Sequence, residues 1–200
     1  MLNVARLQDM LDADFEYDYE EAFLQAIKNN DIAEVKNLLP KVDVNTTDSF
    51  GHSALFYAVE RRYMDIADVL VKAGANLNDD FVRCFSDRAT FAAEPAQQFL
   101  DLGANINAVT LSGRTALSVA SKRGEKEAVK FLLEAGADPN IVGKAYSTGD
   151  ERTALSEAMT QRTAQSRFES LWWPSVKEYN IIIDMLTKAG ADPDLVKCSE

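Results

Sequence analysis

Two hundred residues with 46% hydrophobic and 26% charged side chains suit one globular domain or one short repeat array and exclude a disordered chain. The formal net charge is −11, of which residues 1–21 hold −6 through Asp9, Asp12, Asp14, Glu16, Asp18, Glu20 and Glu21 against Arg6 alone. Such a balance disfavours nucleic acid, which is bound through clustered Lys and Arg, and favours a basic protein partner.

No apolar run approaches the ~20 residues that span a bilayer, so no membrane role is expected. The first 21 residues lack the apolar centre of a signal peptide. Cys84 and Cys198 lie far apart and form no metal-ligand cluster, and two free thiols in a reducing cytoplasm are expected.

In chain order, residues 3–14 place Val4, Leu7 and Leu11 on one helical stripe, which predicts a short extra helix. The stretch EEAFLQAIKNNDIAEVKNLLPKVDVN follows at 20–45. Next come HSALFYAV at 52–59 and IADVLVKAGANLN, ending at Asn78. A shorter segment closes on GANIN at 103–107. RTALSVAS at 114–121 leads to AVKFLLEAGADPN, ending at Asn140, and RTALSEAM at 152–159 to IIDMLTKAGADPD, ending at Asp194. Spacings between the final positions, starting from Asn45, are 33, 29, 33 and 54 residues. Three phrases recurring in register are a repeat signature.

These phrases resemble the ankyrin repeat over about residues 20–194. The resemblance implies an all-α solenoid of about five helix-turn-helix repeats with short β-turn tips and helical caps. The units run 20–45, 46–78, 79–107, 108–140 and 141–194, between an acidic segment at 1–19 and a tail at 195–200. In this reading Ser53, Thr115 and Thr153 cap the first helices. The family's usual Pro at the next position is replaced by Ala54, Ala116 and Ala154. Leu55 with Ala58 and Leu117 with Ala120 share a helix face, and Leu70, Val71, Leu132 and Leu133 bury the second helices. Gly74, Gly103, Gly136 and Gly190 end the second helices in a left-handed turn.

The chain also departs from its own pattern. Arg62 stands where Gly124 stands two units later, so either that turn is rebuilt, the favoured reading, or Arg62 is held in a left-handed backbone at ~1–2 kcal/mol. The third unit is short, with its first helix expected within DDFVRCFSDRA and Glu94-Pro95 at the start of its second. The fifth is long: five extra residues precede Thr153 and sixteen more lie between its helices, around TAQSRFESLWWPSVKE. That insertion carries Phe168, Trp172 and Trp173, either a partner anchor or a cap over the last repeat.

His52, the only histidine, has no companions with which to build a zinc site or a triad, and no phosphate-loop, dinucleotide or nucleophile-elbow motif is present. No enzyme activity and no cofactor are expected. Carrying the family's usual contact positions onto this sequence gives a protein-binding surface of Ser49, Phe50, His52, Phe56, Glu60, Arg61 and Tyr63 in unit two. Unit four adds Leu111, Ser112, Arg114, Lys122 and Arg123, and unit five adds Tyr146, Asp150, Glu151, Arg152 and Gln161, with Trp172 and Trp173 from the insertion. The expected function is that of a monomeric, cytoplasmic, acidic inhibitor of a basic partner such as a secreted toxin, in the manner of ankyrin-type bacterial immunity proteins. The alternative is a general adaptor that tethers a cellular protein.

Overall fold

A computed structural model describes residues 18–86, 93–144, 149, 151–167 and 174–195. The predicted helix at 3–14 and the C-terminal tail past 195 lie outside the described residues. Five helix pairs follow in chain order: α1 (Tyr19–Lys28) with α2 (Ile32–Leu38), then α3 (Ala54–Glu60) with α4 (Met64–Lys72). α5 (Leu77–Arg83) with α6 (Ala93–Asp101) forms the third pair and α7 (Ala116–Arg123) with α8 (Lys126–Glu134) the fourth. The last pair, α9 (Ala154–Arg167) with α10 (Val176–Lys188), is preceded by a two-stranded tip in which Gly143 pairs with Arg152 and Lys144 with Glu151.

The first helices stack in one row, α1 on α3, α3 on α5, α5 on α7 and α7 on α9, the last contact being the most extensive. In the second row α2 lies on α4 and α8 on α10. No single unit closes a core, so the apolar faces meet between units. Leu55, Ala58, Leu117, Ala120, Leu155 and Ala158 are all buried, as are Leu70, Leu132 and Leu186 on the second helices. Val71 and Leu133 are half-buried and pack on the core's edge.

Local chemistry sets the helix starts. The Ser53 hydroxyl accepts the Phe56 N–H at 2.9 Å. Thr115 with Ser118, and Thr153 with Ser156, each exchange bonds between one side chain and the other's backbone N–H. A cap of this kind contributes about 1 kcal/mol by satisfying an N–H that has no partner inside the helix.

The recurring Asn has a structural use that the sequence reading missed. The side-chain oxygen closing each unit accepts a backbone N–H of the next: Asn45 from Asn76, Asn78 from Asn105, Asn107 from Asp138 and Asn140 from Asp192, at 2.8–2.9 Å. This ladder of four bonds ties all five units along one edge, including the irregular ones.

Three departures from expectation follow. The turn at Arg62 is not rebuilt: its φ of 63° matches the 58° of Asn30 and the 73° of Gly124, and the Tyr63 N–H reaches the Ala58 carbonyl at 2.8 Å. Its guanidinium forms an exposed ion pair with Glu94 of α6. In unit three the helix begins at Leu77, directly after the Gly74 turn and capped by Asn76, which leaves no room for a β-turn finger. In unit five, part of the insertion is helix rather than loop, since α9 runs six residues longer than α7 and α10 four longer than α8.

Candidate protein-binding surface

The fingers preceding α3 and α7 present the most exposed apolar side chains of the described residues, Phe50 at 77% and Leu111 at 84%. Asp48 builds the first finger. Its carboxylate accepts the Phe50 N–H at 2.9 Å, the His52 N–H at 2.8 Å and the Tyr57 hydroxyl at 2.6 Å. Burial works against its charge, but the bonds from Tyr57, His52 and Phe50 prevail and hold its pKa below the ordinary value. The bond donated to Asp48, with burial, pushes the Tyr57 phenol up to about 12.

On this frame His52 stacks on Phe56 with ring centroids 5.1 Å apart, meets Tyr57 edge-on at 5.6 Å and lies 6.3 Å from Phe50. Ser49 and Phe50 form the open tip; Glu60 and Arg61 are exposed at the far end of α3, and Tyr63 is half-buried against the core. A rigid aromatic shelf, with Lys28 over the Tyr57 ring at 4.7 Å, is therefore held at one end of the array.

The second finger closes through the Thr110 N–H and the Arg114 carbonyl at 2.9 Å, and its Thr110 and Ser112 hydroxyls meet at 2.9 Å. Leu111 and Ser112 are at its tip and Arg114 is half-buried at its base. Lys122, farther along α7, and Arg152, from the two-stranded tip, converge on the buried Glu157, at 3.9 and 3.1 Å. The Arg123 guanidinium donates to the Ser86 carbonyl at 2.6 Å and lies 3.6 Å from Glu125. These three cations are thus engaged within the fold. Glu151 pairs with Lys144 at 3.3 Å on the surface, and Gln161 is half-buried on α9. Tyr146, Asp150, Trp172 and Trp173 lie outside the described residues.

Sequence reading missed Asp80 and Arg83, because unit three lacks the phrase that would have set its register. Asp80 is buried and accepts the Ser53 hydroxyl at 2.6 Å, so it joins α5 to the cap of α3. Burial, only partly offset by that bond and by Arg83, pushes its carboxyl up to about 6. Arg83 donates to the Phe50 carbonyl at 3.0 Å and covers the Phe56 ring at 5.9 Å. Its guanidinium lies against Gly51 of the first finger.

Among the described residues no three His, Cys, Asp or Glu side chains converge as metal ligands, and no helix is long and apolar enough to cross a membrane. Stacked helix pairs with protruding tips define a solenoid whose open edge is a recognition surface. The sequence model described as ankyrin repeats in three copies matches residues 3–80 and 89–196, and the chain belongs to that family. An ankyrin repeat protein of fowlpox virus is 33% identical over 130 residues, covering 64% of this chain and 31% of that protein. The mitochondrial disaggregase of Bos taurus is 33% identical over 159 residues, covering 75% of this chain and 24% of the enzyme. The chain thus spans under a third of either relative's length. A solved ankyrin repeat domain from Acinetobacter baumannii AYE superposes with a TM-score of 0.56 at 27% identity, over 88% of this chain and 84% of that one. An ankyrin array is a protein-interaction scaffold, generally without catalysis of its own.

Proposed function

We propose that this ankyrin module is a dedicated inhibitor that binds one basic partner in the cytoplasm, itself a monomer when free, and blocks that partner's activity, as an immunity protein blocks a secreted toxin. The observation that carries the reading is an acidic cleft. A hollow of about 380 Å³ between α1 and the first finger is lined by Asp18, Glu20, Glu21 and Asp48, with Lys28 the one cation among its lining residues and Phe50 and Tyr57 in its wall. Carboxylates beside aromatic faces suit Lys and Arg side chains, which gain from both the charge and the ring quadrupole. The remaining acids of the first 21 residues continue the same charge in sequence and would speed the approach of a basic protein. The toxin-specific part rests on analogy of fold and charge.

The adaptor reading uses the same surface and predicts several weaker partners. A pull-down from the native cell lysate, with the purified chain as bait at low and at near-molar salt, separates the two. The inhibitor reading expects a single basic protein, recovered stoichiometrically at both salts and inactive in the complex. A scatter of proteins lost at high salt would overturn it in favour of the adaptor.

A further inference from the structure

Two fingers flank a place where a third is missing. Because α5 starts at Leu77, the side of α5 and the Thr110–Arg114 finger bound an open notch of about 440 Å³. Its polar wall is unusual for a chain of net charge −11: two guanidiniums, Arg83 and Arg114, against one carboxylate, Asp79. The Asp79 carboxylate is occupied by the Asn76 side-chain amide at 2.9 Å. The Arg83 Nε is screened from solvent and has no hydrogen-bond partner among the described residues. Arg114 contributes its backbone to the finger and, with Ser112, lines the notch. Leu111 lines the same notch, and Phe50, whose carbonyl holds Arg83, stands on the opposite finger.

We infer that this notch receives a loop of a partner protein that carries an Asp or Glu flanked by apolar side chains. The carboxylate meets the planar donor fork of Arg114, with the Arg83 guanidinium, held by the Phe50 carbonyl, adding its charge from the notch wall. The apolar neighbours cover Leu111 and Phe50, which are otherwise exposed. A free phosphate would leave those apolar tips unused, and a nucleic acid would be repelled by the surrounding charge. The inference rests on the reading that the chain binds a protein, and is independent of whether that partner is basic overall. A basic protein would be drawn to the acidic end and registered by one acidic residue at the notch, which fixes orientation more than it adds attraction.

The test is an NMR titration of the full chain with a blocked hexapeptide, acetyl-Ser-Leu-Glu-Leu-Ser-Gly-amide, and its Gln and Lys counterparts. The Glu peptide is expected to shift the Thr110–Arg114 amides and the Arg83 Nε–H, and to bind about tenfold more tightly than the Gln peptide. Arg114→Gln is expected to abolish that preference with little change in the thermal melt, because among the described residues its side chain makes no hydrogen bond or ion pair and Gln keeps part of its packing. Equal binding of the Glu, Gln and Lys peptides, shifts confined to the Ser49–Tyr57 shelf, or no shift at all would overturn the notch. Each of those results leaves the pull-down free to find a partner that docks elsewhere. Conversely, a Glu-specific notch in a chain that captures no protein would sink the inhibitor reading and keep the site.

Discussion

The junction between units four and five and the junction between units two and three solve one packing problem in opposite ways. At the first, Gly124 ends α7 and its missing side chain is the space into which Pro174 and Tyr179 fit. Tyr179 is fully buried and its hydroxyl donates to the Lys122 carbonyl at 3.0 Å, which satisfies a C-terminal acceptor of α7. That seam is closed and largely apolar. At the second, Arg62 holds the corresponding turn, its side chain lies in solvent with Glu94, and beside the apolar packing a buried polar bond, Ser53–Asp80, crosses the seam. The closed seam maximises stacking, whereas the open one leaves charged groups where a partner can reach them, beside the notch that lies one unit farther along, between units three and four. A repeat array tolerates an irregular unit when polar bonds such as the Asn ladder keep its neighbours in place.

The largest effect is expected where the closed seam has no slack. A Cβ on residue 124 would meet Pro174 Cβ at 2.5 Å and Tyr179 Cζ at 3.1 Å, on a backbone already at a φ of 73°. Gly124→Ala is therefore expected to destabilise the chain by about 2–4 kcal/mol, the sum of left-handed strain and overpacking. Urea denaturation followed by circular dichroism measures it. A loss below about 1 kcal/mol would mean that Pro174 and Tyr179 move away freely and that the seam is not closed.

The buried carboxyl of the open seam should act in the other direction. Asp80 has a folded-state pKa of about 6, above its ordinary 3.8, so the protonated form is the one the fold favours. Its contribution is whole below about pH 4 and is lost as pH rises through 6. A shift of about two units corresponds to roughly 3 kcal/mol at pH 7. Asp80→Asn, which keeps an acceptor for the Ser53 hydroxyl, is expected to be more stable than the parent by about 1–3 kcal/mol at pH 7 and nearly equal to it at pH 4. Stability measured at both pH values decides. A difference that stays the same at the two pH values would show that burial does not raise the Asp80 pKa, because the folded and unfolded chains would then bind protons alike at that group.

Much of this architecture was legible in the sequence, and what was not has physical reasons. The caps at Ser53, Thr115 and Thr153 and the buried Leu and Ala slots followed from local chemistry and period, and the structure has them in place. The first helix of unit three begins two residues before the expected stretch because it starts with LNDDFVR, where Leu77 and Asn78 also belong to the closing phrase of unit two, and one residue cannot signal two roles. The length of α9 was hidden for a related reason. Arg162 lies seven residues past Leu155, as Gly124 lies seven past Leu117 and Arg62 seven past Leu55. The chain turns at Arg62 and Gly124 but stays helical through Arg162. The distance left to the second helix decides this: one residue, Tyr63, separates Arg62 from α4, whereas thirteen separate Arg162 from α10. In the candidate surface, the rings of Phe50, His52 and Phe56 were identified, but Asp48, which organises them, reads in sequence as one acid among 32.

The smallest expected effect belongs to Arg62, and it bears most directly on why the open seam is open. Arg62→Gly removes about 1–2 kcal/mol of left-handed strain. It also loosens the unfolded chain by about 0.4–1 kcal/mol and gives up an exposed ion pair with Glu94 of about 0.2–1 kcal/mol. These terms nearly cancel, so the variant should lie within about 0.5 kcal/mol of the parent, a difference that thermal melts at low and high salt can bound. Arg62→Ala, which keeps the strain and loses the pair, should be slightly less stable, and that deficit should shrink as salt rises. If Arg62→Gly were instead more stable by over 1 kcal/mol, the strain would stand uncompensated within the chain. The use of the Arg62 guanidinium would then lie in what it contacts outside the chain.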